Sequence, residues 1–195
     1  MEKHGVLIAV VTALAATPLP ARAANPSLRF AISAADSKAS AKVAFFGLAS
    51  KTARFPALAG VVAIDPRQTG SIVIDVSLDA AQLAAGDNVT EARLKGPNFF
   101  DVAHTPVIRF VGGRLRVRNA MTAQIDGQLT AHGITRPVTL DVAFSRPIAL
   151  IDGTTAVRID GTTSIDRRAF GMTSYPFIVG RSVAIRLDIA LAPTR

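Results

Sequence analysis

The chain has 195 residues, 49% of them apolar, with no cysteine and a formal charge of +8. That length suits one domain whose core needs no covalent staple, and the lack of cysteine excludes disulfides, thiolate metal sites and thiol chemistry. Seventeen of the 22 basic residues are arginine, which suits anionic headgroups or phosphates, but one tyrosine, no tryptophan and no basic block interleaved with aromatics leave no stacking platform for nucleic acid.

The chain opens with Lys3, an apolar run from Val6 to Ala16, then Pro18, Pro20 and the small-x-small sequence Ala21-Arg22-Ala23. That order of parts is the pattern of a secretory signal peptide cleaved after Ala23, and the apolar run is too short to span a bilayer. Residues 1–23 are read as leader and residues 24–195 as a single domain destined for the periplasm. The positive charge that remains suits solubility or peripheral contact with an anionic membrane surface.

From Leu28 almost to the C-terminus the sequence alternates apolar and polar residues with period two. Leu28 to Ile32, Ala41 to Phe45 and Gly60 to Ile64 are the first such segments. Ile72, Ile74, Val76 and Leu78 then share one face, with Ser71, Asp75 and Ser77 on the other. The pattern continues through Val107 to Val111, Leu115 and Val117 between arginines, Ile125 and Leu129, and Val138 to Phe144. It ends with Val157 to Ile165 and Val183 to Ile189. One face is dry and the other charged, as in an antiparallel sheet with one buried side. Turn residues at Pro66, Gly70, Gly112-Gly113, Asn119, Pro147 and Asp152-Gly153 are expected to separate eight to ten strands. A chain that makes strands almost without interruption must close or sandwich its sheet.

Periodicity breaks between Asp79 and Gly96. Asp79 with Gln82 resembles an N-cap pair, Asp87 can cap a second short helix, and Gly96-Pro97 is a stop, so one or two short helices are expected to cross an end of the barrel. The predicted fold is therefore mainly β: an extended antiparallel barrel of about eight strands with short helices near residues 79–96.

Signals for covalent chemistry are weak. His104 and His132 are the two histidines after the leader, and neither stands in a zinc-ligand or triad spacing; Asp101 and His104 can meet locally and order a loop. No phosphate loop or nucleophile elbow is present, so no catalytic residue, metal or cofactor is expected. Ten phenylalanines provide apolar wall without polar handles, which fits an ordinary core or a cavity for an apolar ligand.

Four segments together resemble the YceI-like family. Asn98-Phe99-Phe100-Asp101-Val102 followed by Thr105-Pro106-Val107-Ile108-Arg109-Phe110 is similar to its FFD stretch. Gly127-Gln128-Leu129-Thr130-Ala131-His132-Gly133-Ile134-Thr135-Arg136-Pro137-Val138 resembles its hairpin. Arg167-Arg168-Ala169-Phe170-Gly171-Met172 resembles its R-x-(D/A)-F-G-M element, and Phe46-Gly47 through Arg54-Phe55 to Gly60 its first hairpin. Two departures stand out: Phe45 occupies a position where many relatives carry histidine, and Pro56-Ala57-Leu58-Ala59 is more apolar than usual.

The resemblance implies an exported lipocalin-like barrel that holds a polyisoprenoid, a quinone tail or polyprenyl phosphate, or a similar long-chain amphiphile. Dry faces and motifs together select Phe45, Phe55, Ile74, Phe99, Phe100, Phe110, Phe144, Phe170, Met172 and Phe177 as cavity wall, with Arg167, Arg168 and Arg181 toward a headgroup. Two other readings stay open: a stress-related structural or interaction module whose barrel is filled by its own side chains, and a hydrolase or isomerase acting on lipid-like substrates. Pairing into a homodimer is also open.

Overall fold

The computed structural model describes residues 27–67 and 70–194; the expected leader lies outside them. Ten strands form one antiparallel sheet: β1 (Leu28–Ile32), β2 (Lys38–Phe45), β3 (Ala49–Phe55), β4 (Leu58–Ile64), β5 (Ser71–Asp79), β6 (Val107–Val117), β7 (Thr122–Ala131), β8 (Ile134–Phe144), β9 (Val157–Asp166) and β10 (Val179–Pro193). β10 is 15 residues long, and its two halves take different partners: Val179 to Asp188 pairs with β2, and Leu191 to Pro193 with β1. β1 in turn pairs with β4, and β2 with β3. β1 and β2 thus form one interrupted long strand, β3 and β4 a second, and the molecule is a closed up-and-down barrel of eight strands.

The expected alternation is realised on both faces. Inward positions make one hydrophobic core. Outward positions carry cross-strand ion pairs, Arg109 with Asp75, Arg116 with Asp126, Arg158 with Asp188 and Arg181 with Asp166. One expectation fails. Gly112-Gly113 lies inside β6 instead of separating two strands. Gly112 still pairs with Ile74 and Gly127, the register slips before Arg114, and Gly113 is left over as a bulge. Two adjacent glycines accommodate that local distortion as readily as a turn.

The two ends of the barrel differ. At one end Phe30, Ile64, Ile72, Leu115, Phe144, Val157 and Leu191 are buried together with Ile148 and Ile151 from the short 3-10 turn after β8. These side chains form a packed floor. The other end gathers the β2–β3 hairpin tip, the segment from Ala80 to Pro106, the β7–β8 hairpin and the connection from β9 to β10.

The helices of that open end begin as their caps dictate. Asp79 accepts from Ala81 N at 2.9 Å and from Gln82 Nε2 at 2.8 Å at the start of a 3-10 turn, Ala80–Gln82. Asp87 accepts from Thr90 N at 2.7 Å and caps α1 (Asn88–Lys95), which stops at Gly96. The segment also takes the place of a strand beside β3, where Arg54 and Ala84 exchange backbone hydrogen bonds of 2.8 and 2.9 Å.

β8 and β9 are in register over only four pairs, Asp141↔Thr162 to Phe144↔Ile159, and splay apart toward the open end. Thr163 Oγ1 donates to Thr139 O at 2.8 Å above the last pair. Pro137 stands in this half-paired stretch of β8, where a sheet tolerates proline. A third 3-10 turn, Arg167–Phe170, packs against the splayed part.

Candidate functional site

Above the floor the barrel encloses an apolar cavity of about 190 Å3. Its wall is the dry face of the strands: Ala39, Ala41 and Val43 of β2; Ile74, Val76 and Leu78 of β5; Val138, Leu140 and Val142 of β8; and Val183, Ile185, Leu187 and Ile189 of β10. Val76, Leu78, Val138, Ile185 and Leu187 point inward yet are only partly buried, because empty space faces them instead of a packed neighbour.

Of the expected wall residues, Phe55, Ile74, Phe99, Phe100, Phe110 and Met172 line the cavity. Phe99 and Phe100 are presented by a tightly tied loop: Phe99 N donates to Gly96 O, Phe100 N to Leu94 O, and Thr105 Oγ1 to Phe100 O at 2.8 Å. Phe100 meets Phe55 edge-on with centroids 5.7 Å apart, and Phe99 stacks on Tyr175 at 6.0 Å. Phe110 depends on glycine. A Cβ at Gly127 would lie 2.5 Å from the Phe110 ring and 2.5 Å from Val111 O, so no larger residue lets the ring lie flat against β7.

The other four expected wall residues lie elsewhere. Phe45 is half-buried at the end of β2, edge-on to Phe46 at 4.7 Å, and is not part of the lining. Phe144 is in the floor, and Phe170 is sealed beneath its 3-10 turn. Phe177 is 97% exposed: it lies in a loop, where strand parity has no meaning. The aliphatic wall residues were in the same dry faces, so a choice weighted toward aromatic rings passed over most of the lining.

The expected headgroup arginines also need correction. Arg167 is buried and touches the cavity, but Nε donates to Gly180 O at 2.9 Å, Nη2 to Val179 O at 2.9 Å and Nη1 to Met172 O. Burial lowers its pKa, and the neighbouring Arg168 adds to this. The guanidinium fastens the β9–β10 connection to the start of β10. Arg168 is exposed, and Arg181 points outward to Asp166 at 2.6 Å.

Lys51 was not singled out from the sequence, although it shares an inward face with Ala53 and Phe55 on β3. Its side chain is 39% exposed and also lines the cavity, so the cavity reaches the surface there. Its ammonium lies 5.6 Å from the Phe45 ring centroid and 2.9 Å from Asp87 Oδ2. Hydrogen bonds from Lys51 and then from Thr90 hold the Asp87 carboxyl well below the usual carboxylate range. Around this mouth stand three solvent-facing apolar side chains, Phe46 (62% exposed), Leu48 (100%) and Phe177, and Phe46 N donates to Ile178 O at 2.8 Å to join the two loops.

Both histidines lie outside the wall. His104 Nδ1 is 3.0 Å from Asp101 and helps tie the 98–105 loop, as expected. His132, at φ +50° with Gly133 at +70°, forms the two-residue β7–β8 turn, and its Nδ1 is 3.0 Å from Phe170 O. Among the described residues no three His, Asp or Glu side chains converge to hold a metal ion.

A closed antiparallel barrel with a packed floor and a deep apolar cavity defines the lipocalin-like class of architecture. The YceI-like domain model matches residues 30–191, and the chain belongs to that family. It is 26% identical over 113 residues to a UPF0312 protein of Pseudomonas savastanoi pv. phaseolicola, covering 58% of this chain and 59% of the relative. With a UPF0312 protein of Pseudomonas fluorescens it shares 27% identity over 135 residues, 67% of this chain and 68% of the relative.

Among solved structures, the fold matches Burkholderia cenocepacia BcnA with a TM-score of 0.73 at 23% identity, covering 82% of this chain and 98% of that one. It matches a polyisoprenoid binding domain from Saccharophagus degradans with a TM-score of 0.66 at 15% identity, covering 86% and 99%. For the Campylobacter jejuni YceI protein the TM-score is 0.64 at 16% identity, covering 73% and 84%.

Proposed function

We propose that this protein is a non-enzymatic carrier that takes a polyisoprenoid or similar long-chain amphiphile into the barrel, tail toward the floor. The observation that carries this reading is the cavity itself: unfilled, walled by aliphatic and phenyl groups, closed at one end and open at the other. Burial of one five-carbon isoprene unit contributes about 4 kcal/mol gross, at about 0.8 kcal/mol per carbon, so a few units offset the cost of immobilising a flexible chain. A relative of the same fold that is a polyisoprenoid binding domain supports the ligand class. The unfilled lumen weighs against a barrel packed with its own side chains.

The leader-like N-terminus supports a periplasmic site of action, where an insoluble lipid needs a shelter between membranes. The apolar tips Phe46, Leu48 and Phe177 encircle the mouth through which such a lipid enters, and Lys42, Arg168 and Arg181 are exposed a few residues behind them. That combination supports peripheral contact with an anionic bilayer.

The test is saturable binding of a long-chain polyprenol to delipidated protein, compared with an Ala41→Phe variant. Ala41 lines the cavity, and a phenyl group there obstructs the lumen. The reading expects binding by the parent and a loss of at least about ten-fold in the folded variant, since each displaced buried carbon forfeits about 0.8 kcal/mol. No saturable binding by the parent contradicts it.

A further inference from the structure

We infer that Lys51 recognises the head of an anionic lipid at the cavity mouth, and that Asp87 is the carboxylate which that head displaces. This inference rests on the carrier reading and adds the chemical class of the ligand's polar end. A ligand that enters an apolar tube with a sealed floor goes in tail first, so its head comes to rest where the wall meets solvent. Lys51 is at that place: in step with Ala53 and Phe55 on the inward face of β3, in the wall, and 39% exposed. Among the described residues the wall contains one other cation, Arg167, and its guanidinium is occupied by three backbone carbonyls.

The ammonium of Lys51 is positioned but not committed. The Phe45 ring lies 5.6 Å away and favours a cation over its face. Its anionic partner, Asp87 at 2.9 Å, is 46% exposed, and an ion pair so open to water contributes little. Asp87 keeps its own place without Lys51, because it accepts from Thr90 N at 2.7 Å and Thr90 Oγ1 at 2.8 Å as the cap of α1. A phosphate monoester has more charge than one carboxylate and three acceptor oxygens, so it competes for Lys51 on favourable terms. An alcohol or quinone head carries no charge with which to compete. The shared chemistry is an anionic oxygen head, on an isoprenoid phosphate or on a fatty carboxylate.

The experiment measures competition of matched ligand pairs for a fluorescent long-chain probe bound to delipidated protein. Geranylgeranyl phosphate is set against geranylgeraniol, and oleate against oleyl alcohol. The parent is expected to prefer the anion by about ten-fold or more, the scale of one charge-assisted contact. Lys51→Met keeps the apolar stem and is expected to lose the preference, binding each anion no better than its matched alcohol. Asp87→Asn keeps a good helix cap, removes the competing charge, and is expected to tighten anion binding with no effect on the alcohols.

Preference in the phosphate pair alone assigns a phosphate head, preference in the oleate pair alone a carboxylate head, and preference in both any anionic head. Equal binding of both members of each pair by the parent overturns the inference and leaves the carrier reading intact, as does a Lys51→Met protein that retains the preference. Failure of all four ligands to bind overturns the carrier reading and this inference with it.

Discussion

Arg167 is an interior charge whose side-chain hydrogen bonds go to backbone carbonyls and not to a carboxylate, and these three contacts explain why it is there. Gly180, Val179 and Met172 would each bury an unpaired oxygen if the guanidinium were removed. Arg167→Met is expected to cost about 2–4 kcal/mol, a drop in the thermal midpoint on the order of 5–15 °C. Arg167→Lys is expected to recover only part of this, because one ammonium cannot replace a planar fork. An unchanged midpoint for both variants contradicts the latch role.

The sequence reading assigned Arg167 to a headgroup because a basic cluster looks alike whether its donors face a ligand or the backbone. Lys51 carried a usable signal, a cation in phase with Ala53 and Phe55, on a segment that the strand reading left out. Phe177 was misread for the opposite reason: it lies within the turn that leads into β10, where no period applies.

At the scale of elements, alternation identified nine of the ten strands because each has one dry face, and it located their ends to within a few residues; β3 was not read as a strand, since its inward face carries Lys51 and Ala53 beside Phe55. It could not distinguish the Gly112-Gly113 bulge from a turn, since both need the same residues. It also missed the 3-10 turns Ile148–Leu150 and Arg167–Phe170, which are too short to show a period. The caps Asp79 and Asp87 were legible because capping depends on residue type at fixed spacing.

The rim loops were not legible as a unit, because Phe46 and Leu48 lie more than a hundred residues from Phe177 in the chain and meet only through closure of the barrel. Replacing Phe46, Leu48 and Phe177 together by serine is expected to reduce co-sedimentation with anionic vesicles by about ten-fold or more, since each apolar side chain contributes roughly 1.5–3 kcal/mol when buried. The thermal midpoint should stay nearly constant. Undiminished co-sedimentation of the triple variant contradicts membrane contact through this rim.

For the whole molecule, the outer face behaves as a set of paired carboxylates. The pKa values of Asp75, Asp87, Asp126 and Asp166 are lowered from 3.8, and that of Glu91 from 4.5, by hydrogen bonds first and nearby cations second. A pKa that is lower folded than unfolded adds stability above the unfolded value, and this is lost as pH falls through the folded value. The thermal midpoint should therefore be level from about pH 8 to pH 5 and fall below about pH 4, less steeply in high salt. A midpoint that rises on acidification contradicts the pairing.

Period-two alternation shows which faces are dry, but not whether the dry space is full. The barrel was thus readable from the chain, while the cavity needed the volumes of thirty-odd inward side chains summed in three dimensions. The most direct measurement of the central claim is native mass spectrometry of the protein purified without detergent, followed by solvent extraction of anything it carries. A stoichiometric isoprenoid or long-chain amphiphile released from the folded protein is the predicted result. A folded protein that arrives empty, and stays empty when polyprenol, polyprenyl phosphate and quinone are added back, would contradict it.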